Sequence, residues 1–321
     1  MFAASAVTFS PDEPLTALRL GEHPEPVVPE GWVVVDMRAA SVNHHDLWTL
    51  KGVGLPAERL PMILGCDAAG LDPDGNEVIV HAVISPGVGY ADETVDPRRS
   101  LLSEKHQGTF AERVAVPARN LIPKPAWLTW AQAACLPTAW LTAYRMLFTR
   151  SGLVPGQTVL IQGAGGGVST ALIMLARQAG FRVWVTSRDE AKRTRAVELG
   201  AHDAFASGAR LPERVDVVLE TVGAATWAHT LRAVRPGGRV VIAGATSGSQ
   251  PPADLSRIFF LQLSVVGSTM GTRDELERLV AMCGATGLRP LIDHELPLTS
   301  ADEALGRIAA GDLFGKVVLT R

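Results

Sequence analysis

The sequence predicts an α/β protein: a doubly wound parallel sheet with helices on both faces, joined to a second, strand-rich region. Three observations predict it. From Thr158 onward, short apolar strands alternate with helical segments. Those strands are apolar almost without interruption, as strands buried on both faces must be. The first 120 residues instead carry short β-branched runs between turns, in a chain whose 31 glycines and 21 prolines supply many tight turns along its whole length. At 321 residues the chain is long enough for about two domains of ordinary size.

The elements follow in order. Trp32-Val33-Val34-Val35 opens a strand that continues through Met37, Ala39 and Val42. Val78-Ile79-Val80 forms another after the turn Asp72-Pro73-Asp74-Gly75, and Phe110 to Val116 a third, ended by Pro117. Between them, Pro86 to Gly108 reads as a long polar surface excursion. Trp130 to Phe148 is Ala- and Leu-rich and reads as helix, interrupted at Pro137. Then strand and helix alternate: Thr158–Gln162, Thr170–Ala179, Arg182–Thr186, Glu190–Leu199, Val215–Glu220, Trp227–Val234 and Arg239–Ala243. Leu291 to Arg321 returns to mixed strand and helix.

Composition excludes several function classes. Thirty basic against 33 acidic residues give a formal charge of −3, without the basic excess of a nucleic-acid binder. No stretch approaches the roughly 20 apolar residues of a membrane helix. Met1 to Ser5 shows no basic segment leading into an apolar block. Cys66, Cys135 and Cys283 lie far apart, which excludes a disulfide scaffold and a four-cysteine zinc module. A cytoplasmic location is expected.

The turn Gly163-Ala164-Gly165-Gly166-Gly167-Val168-Ser169 lies between a strand and a helix. In that context glycines permit a tight turn and let a pyrophosphate approach the helix N-terminus, where free N–H groups and the dipole favour negative charge. A glycine would ordinarily end such a turn near Ser169, so a slightly wider turn is expected. At the end of the second strand, an acidic residue would accept from the ribose 2′-hydroxyl of NAD. Ser187 stands there, followed by Arg188, and a hydroxyl and a guanidinium suit a 2′-phosphate. Lys192 or Arg193 adds charge one turn later. The expected cofactor is NADPH. On the other reading, Arg188 is a solvated charge and Asp189 turns in toward the ribose.

Several motifs together resemble one family. Gln162 to Val168 is similar to the cofactor loop of the medium-chain dehydrogenases/reductases, which include zinc alcohol dehydrogenases and zinc-free quinone oxidoreductases. Asn43-His44-His45-Asp46 with Gly52 resembles the family's N-x-x-D…G segment. Pro61 to Gly70, Gly108-Thr109-Phe110-Ala111-Glu112, Leu136 to Tyr144, Pro236-Gly237-Gly238 and Gly315-Lys316-Val317-Val318 resemble further landmarks. The resemblance implies a GroES-like β-domain built from residues 1–120 and 290–321, with a Rossmann domain inserted as 121–289. It also implies that Thr142, Gly244 and Gly267 line the cofactor cleft beside Gly163, Gly165, Gly166, Gly167 and Val168.

Zinc members of the family place ligands at the positions of Asn43, Cys66-Asp67 and Thr138. Asparagine and threonine are poor zinc ligands, so no catalytic zinc is expected, although His44, His45, Asp46 and Cys66 could form an opportunistic site. Adjacent histidines on a strand would point to opposite faces. Without a Lewis acid, alcohol oxidation is difficult, while hydride delivery to an electron-poor acceptor remains feasible. The expected activity is reduction of a quinone, or alternatively of an enone or enoyl compound. Candidate hydrogen-bond donors are Asn43, His44, His45 and Thr138; each histidine could instead be structural, and Asp46 orients its loop. A non-catalytic NADPH-binding sensor is the rival class. In this family a late Rossmann strand pairs across a two-fold, and Leu263 to Gly267 resembles that edge, so a homodimer is expected.

Overall fold

A computed structural model describes residues 1–86 and 90–321. Residues 87–89, part of the excursion expected from Pro86 to Gly108, lie outside the described residues. The chain forms two compact units, Met1–Ala139 with Gly271–Arg321, and Trp140–Met270. These divisions fall inside the boundaries of 120 and 290 expected from the resemblance. Packing explains the shift. The helix Trp130–Ala134 lies on the strands of the first unit, and Arg273 donates its Nε to the carbonyl of Arg119 at 2.8 Å.

The first unit contains β1 (Phe2–Ala6), β2 (Leu18–Glu22), β3 (Trp32–Ser41), α1 (His44–Leu50), β4 (Met62–Ile63), β5 (Ala68–Leu71), β6 (Glu77–Val80), β7 (Val83–Ile84), β8 (Ser100–Leu101), β9 (Arg113–Pro117), β10 (Leu121–Pro123) and α2 (Trp130–Ala134). Its largest sheet runs β10-β6-β5-β3 and is completed by the two last strands of the chain. β3 pairs with β9 through its first half and with β5 through its second. Val35, Met37, Leu64, Phe110 and Val317 are buried in the core beneath it. The strand expected over Phe110–Val116 begins only at Arg113, because the Phe110 carbonyl accepts from Ala4 N at 2.8 Å instead. That folds Phe110 against Gly65. A Cβ on Gly65 would stand 2.4 Å from the Phe110 ring, and the residue has φ +94°, so only glycine fits.

The second unit contains α3 (Leu141–Tyr144), β11 (Thr158–Ile161), α4 (Gly167–Gln178), β12 (Arg182–Ser187), α5 (Glu190–Leu199), β13 (Asp203–Ala206), β14 (Val215–Glu220), α6 (Ala224–Ala233), β15 (Val234–Ile242), α7 (Leu255–Phe260) and β16 (Ser264–Gly267). Its six strands are all parallel, in the order β13-β12-β11-β14-β15-β16. Strand order reverses at β11, so the carboxyl ends of β11 and β14 flank a topological switch point. Leu160, Trp184, Val218, Trp227 and Val240 are among the residues buried against the sheet. The chain then returns to the first unit as α8 (Arg273–Thr286), β17 (Ile292–Pro297), α9 (Ala301–Ala310) and β18 (Lys316–Thr320). β18 pairs antiparallel with β3, placing Val318 opposite Ser41.

The helical stretch expected from Trp130 to Phe148 is interrupted at Cys135, two residues before Pro137, where α2 ends. It passes through two π-helical segments, Leu136–Trp140 and Arg145–Arg150, which flank α3. Among the described residues, no helix is long and apolar enough to cross a membrane.

Candidate active site and dinucleotide loop

The strand β3 ends at Ser41, and α1 begins two residues later. His44 and His45 therefore lie in the first turn of a helix, not on the strand expected for them. The helix starts here because the Asp46 carboxylate reaches back to the Asn43 N–H at 2.8 Å. Its other oxygen accepts the Gly65 N–H at 3.0 Å. One carboxylate thus joins the helix start to the loop that carries Cys66 and Asp67. Asp46 is wholly buried, and burial pushes its carboxyl up to about 6 against the pull of His45 and the Asn43 N–H.

Asn43 was expected to offer a hydrogen bond to substrate. The structure assigns both ends of its amide elsewhere. Nδ2 donates to Asp67 Oδ2 at 2.8 Å and to the Ser41 carbonyl at 3.2 Å. Oδ1 accepts from the Lys316 ammonium at 2.6 Å. An ammonium on one side and a carboxylate on the other leave only one orientation for the amide. Lys316 also donates to the Val42 carbonyl at 2.7 Å and lies 3.9 Å from Asp67 Oδ2, which accepts the Ser41 hydroxyl as well. All four polar side chains, Ser41, Asn43, Asp67 and Lys316, are buried. Asn43 is thus a positioning residue, corrected from donor, because buried polar atoms take partners before they serve a ligand.

His45 is clamped between two groups. Its Nε2 lies 3.1 Å from Glu104 Oε1 and its Nδ1 3.4 Å from Cys66 Sγ. Burial opposes charge on the ring, but the Cys66 sulfur, the Glu104 carboxylate and Asp46 outweigh it, and the imidazole is raised well above its ordinary value. Burial pushes the Cys66 thiol up against the pull of His45, and its Sγ lies 3.3 Å from the Leu102 carbonyl. His44 is exposed and has no protein partner among the described residues. Partial enclosure, with the nearby Lys316 ammonium, holds its imidazole below the ordinary value and therefore neutral at pH 7. Thr138 sits in the first π-helical segment, with its hydroxyl buried and unpartnered among the described residues. His44 and Thr138 are the two expected donors whose polar atoms remain free.

Sequence reasoning missed Lys316, Asp67 and Glu104 as members of this cluster. A lysine opening the apolar strand Val317-Val318-Leu319 was a usable signal for Lys316. Nothing local marks Glu104.

In the second unit the expected cofactor residues collect at the carboxyl ends of the strands. Gly163 to Gly166 connect β11 to α4, with Gly163 at φ +84° and Gly165 at φ +100°. Gly167 and Val168 begin α4. The Ser169 hydroxyl donates to the Gly166 carbonyl at 2.9 Å, so it is absorbed by the turn itself. Ser187 ends β12 and Arg188 follows, exposed and with no side-chain partner among the described residues. Asp189 caps α5 by accepting the Lys192 N–H at 3.1 Å with one carboxylate oxygen. Lys192 lies in the first turn of α5, half-buried. Arg193 turns back to the Ser187 carbonyl at 2.9 Å. Gly244 follows β15, Gly267 ends β16 and Thr142 lies buried in α3. The glycine turn leaves open backbone where a pyrophosphate would approach: a Cβ on Gly166 would meet nothing nearer than 3.7 Å. These residues fit a dinucleotide.

Comparison with known proteins gives the same picture. Residues 29–126 match the family model for the alcohol dehydrogenase GroES-like domain, and residues 167–284 that for zinc-binding dehydrogenase. A solved structure titled as an NAD-dependent alcohol dehydrogenase is 32% identical, with TM-score 0.91 and full coverage of both chains. The crotonyl-CoA carboxylase/reductase of Cereibacter sphaeroides is 29% identical over 80% of this chain and 72% of its own. The acryloyl-coenzyme A reductase of Sulfurisphaera tokodaii is 26% identical over 95% of this chain and 97% of its own.

The buried cluster makes a stability prediction. Lys316→Met leaves the Asp67 carboxylate and Asn43 Oδ1 buried without their cation, which is expected to cost about 3–5 kcal/mol. Equilibrium urea denaturation measures it. A cost under about 1 kcal/mol, the range of an exposed ion pair, would show that the ammonium does not hold the cluster.

Proposed function

The chain belongs to the medium-chain dehydrogenase/reductase superfamily, and on that premise we propose that it is an NADPH-dependent, zinc-independent reductase of α,β-unsaturated carbonyl compounds, with enoyl thioesters as the substrate class. The observation that carries this reading is the commitment of Asn43. At the position where zinc members hold a ligand stands an amide locked between Lys316 and Asp67. A buried ammonium beside it disfavours a second cation.

The remaining donor set does not fit a catalytic zinc. Ligand atoms of His45, Asp46 and Cys66 lie within 4.8 Å of one another. Both Asp46 oxygens, however, already accept backbone N–H groups, and His45 is held by Glu104. Catalytic zinc needs three such ligands and an open position. With no Lewis acid to lower a hydroxyl pKa, reduction of an activated double bond suits the cluster better than alcohol oxidation.

NADPH, when bound, supplies the hydride. The chain's own residues do the rest. The backbone of Gly165 to Val168 holds the pyrophosphate, and Ser187 and Arg188 hold the 2′-phosphate. The His44 ring N–H and the Thr138 hydroxyl meet the oxygen that gains charge as the β-carbon accepts hydride. His45 is the candidate proton donor of the cluster, with half-exposed Glu104 beside it favouring the charged ring. Quinones share the same hydride chemistry. The names of the acryloyl- and crotonyl-CoA relatives favour the enoyl class over the quinone first expected.

The homodimer expected from the resemblance also stands as a proposal. β16 is an edge strand of the parallel sheet, and Val265 on it is 42% exposed. On the adjoining α7, Leu255, Phe259 and Phe260 are 70%, 62% and 75% exposed. Clustered apolar groups beside an open strand edge are a pairing surface.

Four outcomes are expected. Steady-state NADPH oxidation with a panel of enoyl-CoA thioesters and quinones should give a kcat/KM at least about tenfold higher for an enoyl thioester; turnover of quinones alone would overturn the substrate class. Elemental analysis should find well under one zinc per chain, with activity unchanged by chelator, and stoichiometric zinc lost together with activity would refute zinc independence. NADPH should bind roughly ten- to a hundredfold tighter than NADH, a preference that Ser187→Asp abolishes; equal binding by the unaltered protein would refute the roles of Ser187 and Arg188. Light scattering should report twice the chain mass of 34.1 kDa, whereas a monomer at micromolar concentration would exclude the dimer.

A further inference from the structure

Beneath the glycine turn lies a closed set of buried hydrogen bonds that neither the motifs nor the proposed chemistry uses. Gln162, the residue before Gly163, is fully buried. Its Oε1 accepts the Thr186 hydroxyl at 2.6 Å, and Thr186 Oγ1 in turn accepts the Gly163 N–H at 3.3 Å. Its Nε2 donates to Thr230 Oγ1 at 3.0 Å and lies 2.9 Å from His229 Nδ1. Thr230 donates onward to Glu220 Oε2 at 2.6 Å. Glu220, also fully buried, accepts the N–H groups of Val222 and Gly223 at 2.7 and 3.0 Å. Val222 presses on the turn: its Cγ2 lies 3.2 Å from where a Gly163 Cβ would be.

The proton directions around Gln162 follow from the partners. Each Gln162 amide hydrogen has one acceptor, Thr186 donates to Gln162 and accepts from Gly163, and Thr230 donates to Glu220, which also accepts the Thr226 hydroxyl. Because Nδ1 of His229 accepts, its hydrogen is on Nε2, which donates to the Ala209 carbonyl at 2.8 Å. The chain of bonds ties the carboxyl ends of β11, β12 and β14 together, the three strand ends around the switch point.

We propose that Gln162 is a positioning residue that holds the dinucleotide-binding turns in their binding geometry, and that His229 is the acid-sensitive joint of this network. The inference rests on the reading of this unit as an NADPH site. A protonated His229 would present an N–H to the Gln162 NH₂, donor against donor, and the amide could not satisfy both neighbours. The charged groups facing His229 are Glu220 on β14 and Arg232 on its own helix. Burial holds the imidazole below its ordinary value, helped by Arg232 and opposed by the Ala209 carbonyl and Glu220. The network is therefore intact at neutral pH and is lost as pH falls through that depressed value.

The test is calorimetric binding of NADP⁺ to the full-length protein and its variants. Gln162→Met and Thr186→Val should each weaken binding about fivefold or more, and Thr186→Ser, which keeps the hydroxyl, should restore it to within about twofold. The Thr186 pair decides the matter if Gln162→Met does not fold. As pH is lowered from neutrality through and below the ordinary imidazole range, the unaltered protein should lose affinity faster than His229→Gln, and the ratio of the two cancels titration of the 2′-phosphate. Folded variants that bind NADP⁺ as the unaltered protein does, or identical pH profiles for the His229 pair, would overturn the proposal. Absence of NADP⁺ binding to the unaltered protein would instead overturn the nucleotide reading, and this inference with it.

Discussion

A lysine ammonium from the last strand of the chain reaches into the loop after β3 and bonds to two oxygens there, the Val42 carbonyl and the Asn43 amide. The partners are 274 and 273 residues apart, so this contact closes the first unit from both chain ends. It is expensive to make, since a buried cation must be repaid by close, well-aimed acceptors. Once made, it dictates the rest of the cluster. Asn43 can face only one way, Asp67 is drawn to its amide and to Ser41, and the groups left free for a ligand are those outside that circle.

The second buried carboxylate does different work. Asp46 accepts two backbone N–H groups, one at the start of α1 and one at Gly65. Burial raises its carboxyl to about 6, so ionising it costs stability above that value. The cost is tolerated because the same group fixes the helix that carries His44 and His45 and the loop that carries Cys66. The two buried aspartates, Asp46 and Asp67, are thereby spent on architecture. The His44 ring and the Thr138 hydroxyl are left without protein partners among the described residues, which suits the proposed reaction, in which charge develops on a carbonyl oxygen.

The second unit follows another logic. A parallel sheet delivers all its carboxyl ends to one edge, and any residue placed just past a strand arrives there. The glycine turn, Ser187, Gly244 and Gly267 share that edge for this reason alone. What distinguishes this chain is the polar set beneath the turn. Gln162 replaces what could have been apolar packing with a network whose proton directions around its amide follow from the partners. Such a network is rigid when complete and fails as a unit when one member changes charge.

Much of this was legible without coordinates. The strand–turn–helix context of Gly163 to Val168, the strand ending at Ser187 and the alternation of the inserted unit all depend on spacing a few residues long, which backbone geometry sets. Those features were read directly from the sequence, whereas the poverty of metal ligands at Asn43 and Thr138 was implied only by the family resemblance. Ser169 was read as a departure, and its hydroxyl turned out to bond to Gly166 within the same turn. The helical placement of His44 and His45 was missed because it hangs on one capping carboxylate, that of Asp46, reaching back three residues to Asn43. The fate of Asn43, the presence of Lys316 and Glu104 in its cluster, and the freedom of His44 and Thr138 were decided only by tertiary structure. A hydrogen-bonding side chain takes the nearest buried partner, and which partner is near depends on how distant segments cross, a matter no local pattern records.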